Sequence, residues 1–119
     1  MDDQKLGPVE SRFADLIWGH EPLTSRQLVE LCQQELNWKK PTTYTVLRKL
    51  CQRGIFQNEG GTVTSLISRE DFYAGRSCRF VEETFDGSLP AFIAAFTRKQ
   101  ALTEEEIREI RRLIDGKEE

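Results

Sequence analysis

At 119 residues, with 38% hydrophobic residues and a mean hydropathy of -0.54, the chain is a soluble globular protein of one domain or two very small ones. A net charge of -3 excludes a uniformly basic nucleic-acid binder. The charge is unevenly distributed, however. Residues 1–67 hold eight basic and eight acidic side chains, so the acidic excess falls in residues 68–119. No apolar run is long enough for a signal peptide or a membrane span, which predicts a cytoplasmic protein without a membrane partner.

The residues that usually carry chemistry are sparse and scattered. The cysteines Cys32, Cys51 and Cys78 are odd in number and widely spaced, which favours free thiols over a disulfide framework or a metal site. The single histidine, His20, has no accompanying nucleophile, phosphate-binding loop or metal motif. We therefore expect no catalytic residue, no metal and no cofactor, in a protein that is not an enzyme.

The first part of the chain predicts two amphipathic helices. Pro8–Trp18 carries an apolar stripe at helical spacing (Val9, Phe13, Leu16 and Ile17), and the glycine that follows is expected to end this helix. Leu23 is a candidate for a short strand. A second helix is predicted to begin at Thr24, because Thr24 and Gln27 have the spacing of a capping box.

A third helix is predicted in the most basic window of the chain, Trp38–Gly54, which contains no Asp or Glu. Pro41 suits its first turn, and Gly54 suits the residue after its end. Its inner face contains Thr43, Val46, Leu47, Leu50 and Cys51. The outer face and the lysines before it offer hydroxyl groups and cations that bind phosphates and base edges. The candidate DNA-binding residues are Lys39, Lys40, Thr42, Tyr44, Thr45, Arg48 and Lys49.

Three alternatives stay open in this window. The basic face is equally well explained as the solvated face of an ordinary helix. Tyr44 either contacts bases or packs against a following hairpin. Trp38 is either a hydrophobic plug between the second and third helices or a donor of its indole N–H to phosphate.

After Gly54 the pattern changes from helix to strand. Ile55–Asn58 and Thr62–Ile67 are predicted strands, and Glu59–Gly61 is the turn between them. A helix-turn-helix followed by a hairpin has the order of a winged helix. The predicted fold is mainly α with a small β wing, in which residues 1–67 form a winged helix-turn-helix DNA-binding domain.

Residues 68–119 are predicted to form a helical dimerisation region. Helices are expected from Ser68 to about Phe85, from Ser88, and from Thr103, which forms a capping box with Glu106. About fifty residues bury too little apolar surface to be stable alone, so a homodimer would supply the partner surface. The candidate interface residues are Phe72, Phe80, Val81, Phe85, Phe92, Phe96, Ile107, Ile110 and Ile114. The alternative is that these helices fold back onto their own winged helix.

With these motifs in order, the sequence resembles the penicillinase-repressor family, which includes the β-lactamase and methicillin-resistance repressors. The resemblance runs from about Leu6 to Ile114. The residues that carry it are Ile17-Trp18, then Trp38, Thr42, Thr45, Leu47, Lys49, Leu50 and Arg53-Gly54, then Ser68-Arg69-Glu70-Asp71-Phe72, Phe85-Asp86-Gly87-Ser88-Leu89 and Leu102-Thr103-Glu104-Glu105-Glu106-Ile107.

The resemblance implies a sequence-specific transcriptional repressor that binds a palindromic double-stranded DNA operator as a homodimer. In the β-lactam-responsive branch of the family, a regulatory protease cuts an Asn-Phe bond and lifts repression. Ala95-Phe96 stands at the corresponding position and is the candidate cleavage site. The wing is shorter than is usual in the family, and Val63 stands near the position of the family's wing tyrosine.

A winged-helix protein–protein interaction module without specific DNA binding is the alternative function. The absence of acidic residues from Asn37 to Asn58 favours DNA as the partner. Retention on heparin or non-specific DNA at low salt would discriminate between the two functions.

Overall fold

The computed structural model describes residues 5–116, and the outer ends of both predicted domains, residues 1–4 and 117–119, lie outside this range. The elements within it, in chain order, are α1 (Pro8–His20), β1 (Leu23–Thr24), α2 (Ser25–Leu36), α3 (Lys40–Gln52), β2 (Phe56–Glu59), β3 (Thr62–Ser65), α4 (Arg69–Phe85), α5 (Leu89–Lys99) and α6 (Glu104–Gly116). This composition confirms a mainly helical fold with a small β wing.

Local signals set the ends of α2 and α3. The Thr24 hydroxyl accepts a hydrogen bond from the Gln27 N–H at 3.0 Å, and the Gln27 side chain accepts one from the Thr24 N–H at 2.9 Å, which confirms the capping box. Asn37 ends α2 with φ 58°, in the left-handed region that Asn tolerates. Gly54 follows α3 with φ 82°, a conformation that favours glycine.

The first helix differs from its predicted form in two respects. α1 continues to His20, because a single glycine weakens a helix without breaking its hydrogen-bond ladder. The Glu21 N–H still bonds the Ile17 carbonyl oxygen at 2.8 Å. Val9 is 50% exposed, so it lies outside the buried stripe of this helix.

The three strands form an antiparallel sheet in the order β1-β3-β2. β1 extends the predicted hairpin by pairing Leu23 with Val63, and both side chains are buried. The hairpin turn consists of Gly60 and Gly61 with φ 59° and 87°. Positive φ at both central residues is typical of the tight turn whose twist matches that of the strands. The winged-helix order of helices and hairpin is confirmed.

One apolar cluster forms the core of the described residues. It contains Leu6, Phe13, Ala14, Ile17, Leu23, Leu28, Cys32, Leu47, Leu50, Ile55, Phe56, Val63 and Phe72. The cluster draws on α1, α2, α3, the sheet and the first turn of α4. It therefore fixes the basic helix α3 against the rest of the winged helix.

The chain divides into two compact units, of which the first ends at Ser77 and the second begins at Cys78, within α4. The sequence suggested a boundary near Ile67–Ser68 instead. Phe72 explains the difference, because its side chain is fully buried in the first unit, with its ring 5.7 Å from that of Trp18. Phe72 is therefore a core residue and not an interface residue. Helical periodicity identifies an apolar face but not the surface that covers it.

The second unit lacks a closed core. Its centre is an aromatic cluster of Phe80, Phe85 and Phe92, with ring centroids 5.6–6.0 Å apart. The Thr103–Glu106 capping box at the start of α6 is confirmed, with hydrogen bonds of 2.9 and 3.0 Å. Of residues 78–116, none is buried. Within residues 5–116, no helix has both the length and the apolar character needed to cross a membrane.

Candidate nucleic-acid interface

The outer face of α3 is polar, cationic and open to solvent. Thr43, Leu47 and Leu50 turn inward and are buried, which fixes the rotation of the helix. That rotation leaves exposed Thr42, Thr45, Arg48, Lys49 and Gln52. Hydroxyl, guanidinium, ammonium and amide groups on one helix face are the donors and acceptors that bind base edges and phosphates in a major groove.

The N-terminus of α3 adds a second cationic feature. Lys39 is the N-cap residue and Lys40 the first helical residue, and both are exposed. The cap makes no side-chain hydrogen bond, and Pro41 supplies no N–H. The remaining backbone N–H groups of this turn, the helix dipole and two ammonium groups favour an anion at this end.

Tyr44 makes a polar contact that the sequence did not predict. Its side chain is half-buried against the core, and its hydroxyl donates to the Ser25 hydroxyl oxygen at 3.1 Å. Ser25 is the first residue of α2, and its N–H bonds the Gly61 carbonyl oxygen in the wing turn at 2.8 Å. Tyr44 therefore ties α3 to the start of α2, and its ring packs on the core.

Lys49 lies at the margin of the outer face, towards α1. Its Nζ is 3.5 Å from Glu10 Oε2, while its side chain remains 61% exposed. The other carboxylate oxygen, Glu10 Oε1, accepts a hydrogen bond from the Gly7 N–H at 3.1 Å and lies 3.8 Å from Arg53 Nη1. The Gly7 hydrogen bond, with the Lys49 and Arg53 charges, lowers the pKa of the Glu10 carboxyl.

Trp38 is a packing residue. Its ring stacks on Phe13 of α1 with centroids 5.4 Å apart and planes inclined by 26°. It joins α1 to the link between α2 and α3, which agrees with the hydrophobic-plug alternative.

The wing adds no cation to the interface. Residues 55–67 contain no Lys or Arg, and Glu59 stands beside the turn. A further cation that the sequence reasoning missed is Arg26, which is exposed in the first turn of α2, next to the Ser25 hydroxyl that Tyr44 contacts. The sequence signal for Arg26 was its position as a cation in the first helical turn after the capping-box residue Thr24.

The candidate interface residues of the second unit are only partly covered. Phe80 is 48%, Phe96 41% and Ile114 64% exposed. The others in this unit, Val81, Phe85, Phe92, Ile107 and Ile110, are half-buried. A groove of about 680 Å³ lies between α5 and α6, with Phe92, Phe96 and Ile110 among its lining residues.

The candidate cleavage site lies in the middle of α5. Ala95 is half-buried and Phe96 is exposed. The peptide bond between them lies inside the helix Leu89–Lys99. In the next turn position, the Thr97 hydroxyl donates to the carbonyl oxygens of Ile93 and Ala94 at 2.9 and 3.1 Å.

The three cysteines are free thiols that differ in burial. Burial raises the pKa of the Cys32 and Cys51 thiols, which disfavours the thiolate that a metal requires. Cys78 is exposed, and within residues 5–116 no three His, Cys, Asp or Glu side chains are grouped for a metal ion.

Comparison with known proteins identifies relatives along almost the whole chain. The chain is 22% identical over 117 residues to the methicillin resistance regulatory protein MecI of Staphylococcus aureus strain Mu50, covering 95% of each chain. It is 22% identical over 115 residues to the penicillinase repressor of Bacillus licheniformis, covering 93% of this chain and 90% of that one. The family model described as penicillinase repressor matches residues 6–116. The chain therefore belongs to the penicillinase repressor family.

Proposed function

We propose that this protein is a transcriptional repressor that binds a palindromic duplex DNA operator as a homodimer, with α3 as the recognition helix. The observation that carries the proposal is the outer face of α3, which is free of acidic residues and exposed beside a cationic N-terminus. The names of its relatives, a penicillinase repressor and a methicillin resistance regulator, support the same function.

Base reading would fall to the residues at the centre of this face. Thr45 and Arg48 are exposed, and Thr42 lies one turn before Thr45. Threonine contacts thymine methyl groups or base edges, and arginine pairs with the two acceptors of guanine. These are the positions at which substitutions would change specificity as well as affinity.

Phosphate contacts would come from the ends of α2 and α3. Lys39 is the N-cap residue of α3 and Lys40 is its first residue, and Arg26 lies in the first turn of α2. The Tyr44–Ser25 hydrogen bond holds these two helix starts together. Two helix N-termini and three cations on one side would bind the backbone without reading sequence.

The second unit would supply the dimer contact. Exposed Phe80, Phe96 and Ile114 leave a large apolar area in water, which single chains seldom do. Covering these residues with the same surface of a second copy makes a two-fold dimer, and such a dimer presents two recognition helices to two half-sites. The proposed domains are thus a DNA-binding winged helix and a helical dimerisation region.

Loss of the dimer would lift repression. A protease needs an extended segment, so the Ala95-Phe96 bond must first leave its helix. Because none of residues 78–116 is buried within one chain, local opening of α5 costs little. We propose that cleavage at Ala95-Phe96 by a regulatory protease is the releasing event.

The proposal is tested by selection from a randomised pool of duplexes of about 30 base pairs, followed by anisotropy titration. We expect enrichment of inverted repeats with half-sites about one helical turn apart. Arg48→Ala should weaken binding to the enriched duplex by about 1–3 kcal/mol and relax specificity at one position. Gln33→Ala, on the exposed face of α2, is the control and should bind as wild type does.

A protein that is retained neither on heparin nor on mixed-sequence duplex at about 50 mM salt would contradict the proposal. That result would favour the alternative of a protein–protein interaction module. Retention without enrichment of any sequence would contradict the operator but not the DNA contact.

A further inference from the structure

Glu10 lies beside two cations, Lys49 in α3 and Arg53 at the C-cap of that helix. Its carboxylate oxygens lie 3.5 Å from Lys49 Nζ and 3.8 Å from Arg53 Nη1. The same carboxylate accepts the Gly7 N–H at 3.1 Å, in the first turn of its own helix. Because this backbone hydrogen bond does not involve α3, Glu10 stays in position whether or not Lys49 is beside it.

The two cations differ in how firmly they are held. The Arg53 side chain is 19% exposed and also donates to the Lys5 carbonyl oxygen. The Lys49 side chain is 61% exposed. A flexible surface lysine changes partners at little cost, because an exposed ion pair is weak. Lys49 is therefore the cation that is able to leave Glu10.

Lys49 also belongs to the face that would meet DNA. It follows Thr45 by four residues and Thr42 by seven, so the three side chains share one side of α3. A phosphate beside this face would attract Lys49, and the Glu10 carboxylate attracts the same ammonium group from the other side. The phosphate and Glu10 are therefore alternative partners for Lys49.

We propose that Glu10 competes with a DNA phosphate for Lys49 and thereby lowers the affinity of each half-site. This inference rests on the proposed function of α3. It assigns Glu10 a role in setting operator affinity, and it makes Lys49 a phosphate contact rather than a base reader. Because Glu10 weakens the contact with each half-site, operator binding depends more strongly on a dimer that contacts both half-sites.

The test is a double-mutant cycle on a mixed-sequence duplex of about 30 base pairs at roughly 50 mM salt. Glu10→Gln should tighten binding about twofold to fivefold per protomer, the worth of an exposed ion pair. The slope of the logarithm of the binding constant against the logarithm of the salt concentration should steepen by up to about 0.9 per protomer. In the Lys49→Ala background, Glu10→Gln should have little effect on binding.

Glu30→Gln makes the same charge change on the exposed face of α2 and is the matched control. In Glu10→Gln the amide oxygen is still able to accept a hydrogen bond from the Gly7 N–H. Equal thermal unfolding midpoints of wild type and Glu10→Gln would exclude a folding defect. Unchanged affinity of Glu10→Gln, or equal tightening with and without Lys49, would overturn the inference. Arg48→Ala tests the proposed function separately, because it should weaken operator binding whatever Glu10 does.

Discussion

Trp18 donates its indole N–H to the backbone carbonyl oxygen of Ile67 at 3.0 Å, between residues 49 positions apart in the chain. Its ring lies 5.3 Å from that of Phe56 in β2 and 5.7 Å from that of Phe72 in α4. One side chain thus joins α1, the wing and the first turn of α4. This relationship explains why the first unit extends beyond the wing.

We expect Trp18→Phe to lower the free energy of unfolding by about 1–2 kcal/mol. The smaller ring keeps part of the aromatic contact but leaves the Ile67 carbonyl without its indole donor. Urea denaturation followed by circular dichroism measures the change. Trp38→Phe, which retains a ring to stack on Phe13, is the control and should cost less. Equal stability of Trp18→Phe and wild type would show that the hydrogen bond contributes nothing net.

Acid should weaken the first unit through Glu10. The hydrogen bond from Gly7, with the charges of Lys49 and Arg53, lowers the pKa of this carboxyl from its ordinary 4.5. The pKa of Glu10 is lower in the folded state than in the unfolded state. Ionised Glu10 therefore stabilises the fold at pH values above its unfolded-state pKa, and this contribution is lost as the pH falls through the folded-state pKa. The free energy of unfolding of wild type should therefore fall more steeply below pH 4.5 than that of Glu10→Gln. Parallel curves would contradict this expectation.

The winged-helix elements were predictable because their signals are local. The Thr24–Gln27 capping box, Pro41 at the start of α3 and the Gly60-Gly61 turn each depend on a few neighbouring residues. The partner of an apolar face is not a local property. The prediction that Phe72 lies on an apolar helix face was therefore correct. Its assignment to the dimer interface was wrong, because the side chain is buried in the core of the first unit.

The polar contacts of the candidate DNA-binding face were harder to predict for the same reason. Lys49 and Glu10 are 39 positions apart, and only the packing of α1 on α3 brings them to 3.5 Å. Tyr44 in α3 meets Ser25 at the start of α2, 19 positions earlier in the chain. Sequence periodicity predicted that both side chains leave the core face, and it carried no information on which neighbours they meet.

The wing is a site where one substitution should increase DNA affinity. Glu59 lies beside the two-residue turn of a hairpin that contains no Lys or Arg. We expect Glu59→Lys to tighten binding to mixed-sequence duplex and to steepen the salt dependence by about 0.9 per protomer, because a cation would replace an anion near phosphate. Titrations at several salt concentrations measure both. Glu30→Lys controls for net charge, and equal effects of the two variants would show that the wing stays away from the backbone.

The dimer prediction is best tested at a residue that is exposed in the single chain. Ile114 is 64% exposed, so Ile114→Asp leaves the fold of one chain unchanged and places a charge in the proposed interface. Burial of an unpaired charge should cost several kcal/mol and dissociate the dimer at micromolar concentration. Sedimentation velocity distinguishes the two states. Arg108→Asp, on the polar side of α6, is the control. A wild-type monomer, or a dimer that tolerates Ile114→Asp, would contradict this interface.

Truncation after Ala95 tests how repression is lifted. The shortened chain loses Phe96 and all of α6, but it retains the buried core, which ends at Phe72. The first unit should therefore fold, while the remaining helices have no partner surface. Joining two half-sites raises affinity through effective concentration by about 10²–10⁴, so loss of the dimer should release DNA without any change in α3.

We expect the fragment to be monomeric and to bind the selected operator at least about tenfold more weakly than the full chain. Arg48→Ala in the fragment should weaken the remaining binding further, which shows that the recognition helix is intact. Sedimentation and anisotropy titration on the same samples measure both properties. A dimeric fragment with full affinity would mean that α6 is dispensable, and cleavage at Ala95-Phe96 would then be unable to act as the releasing event.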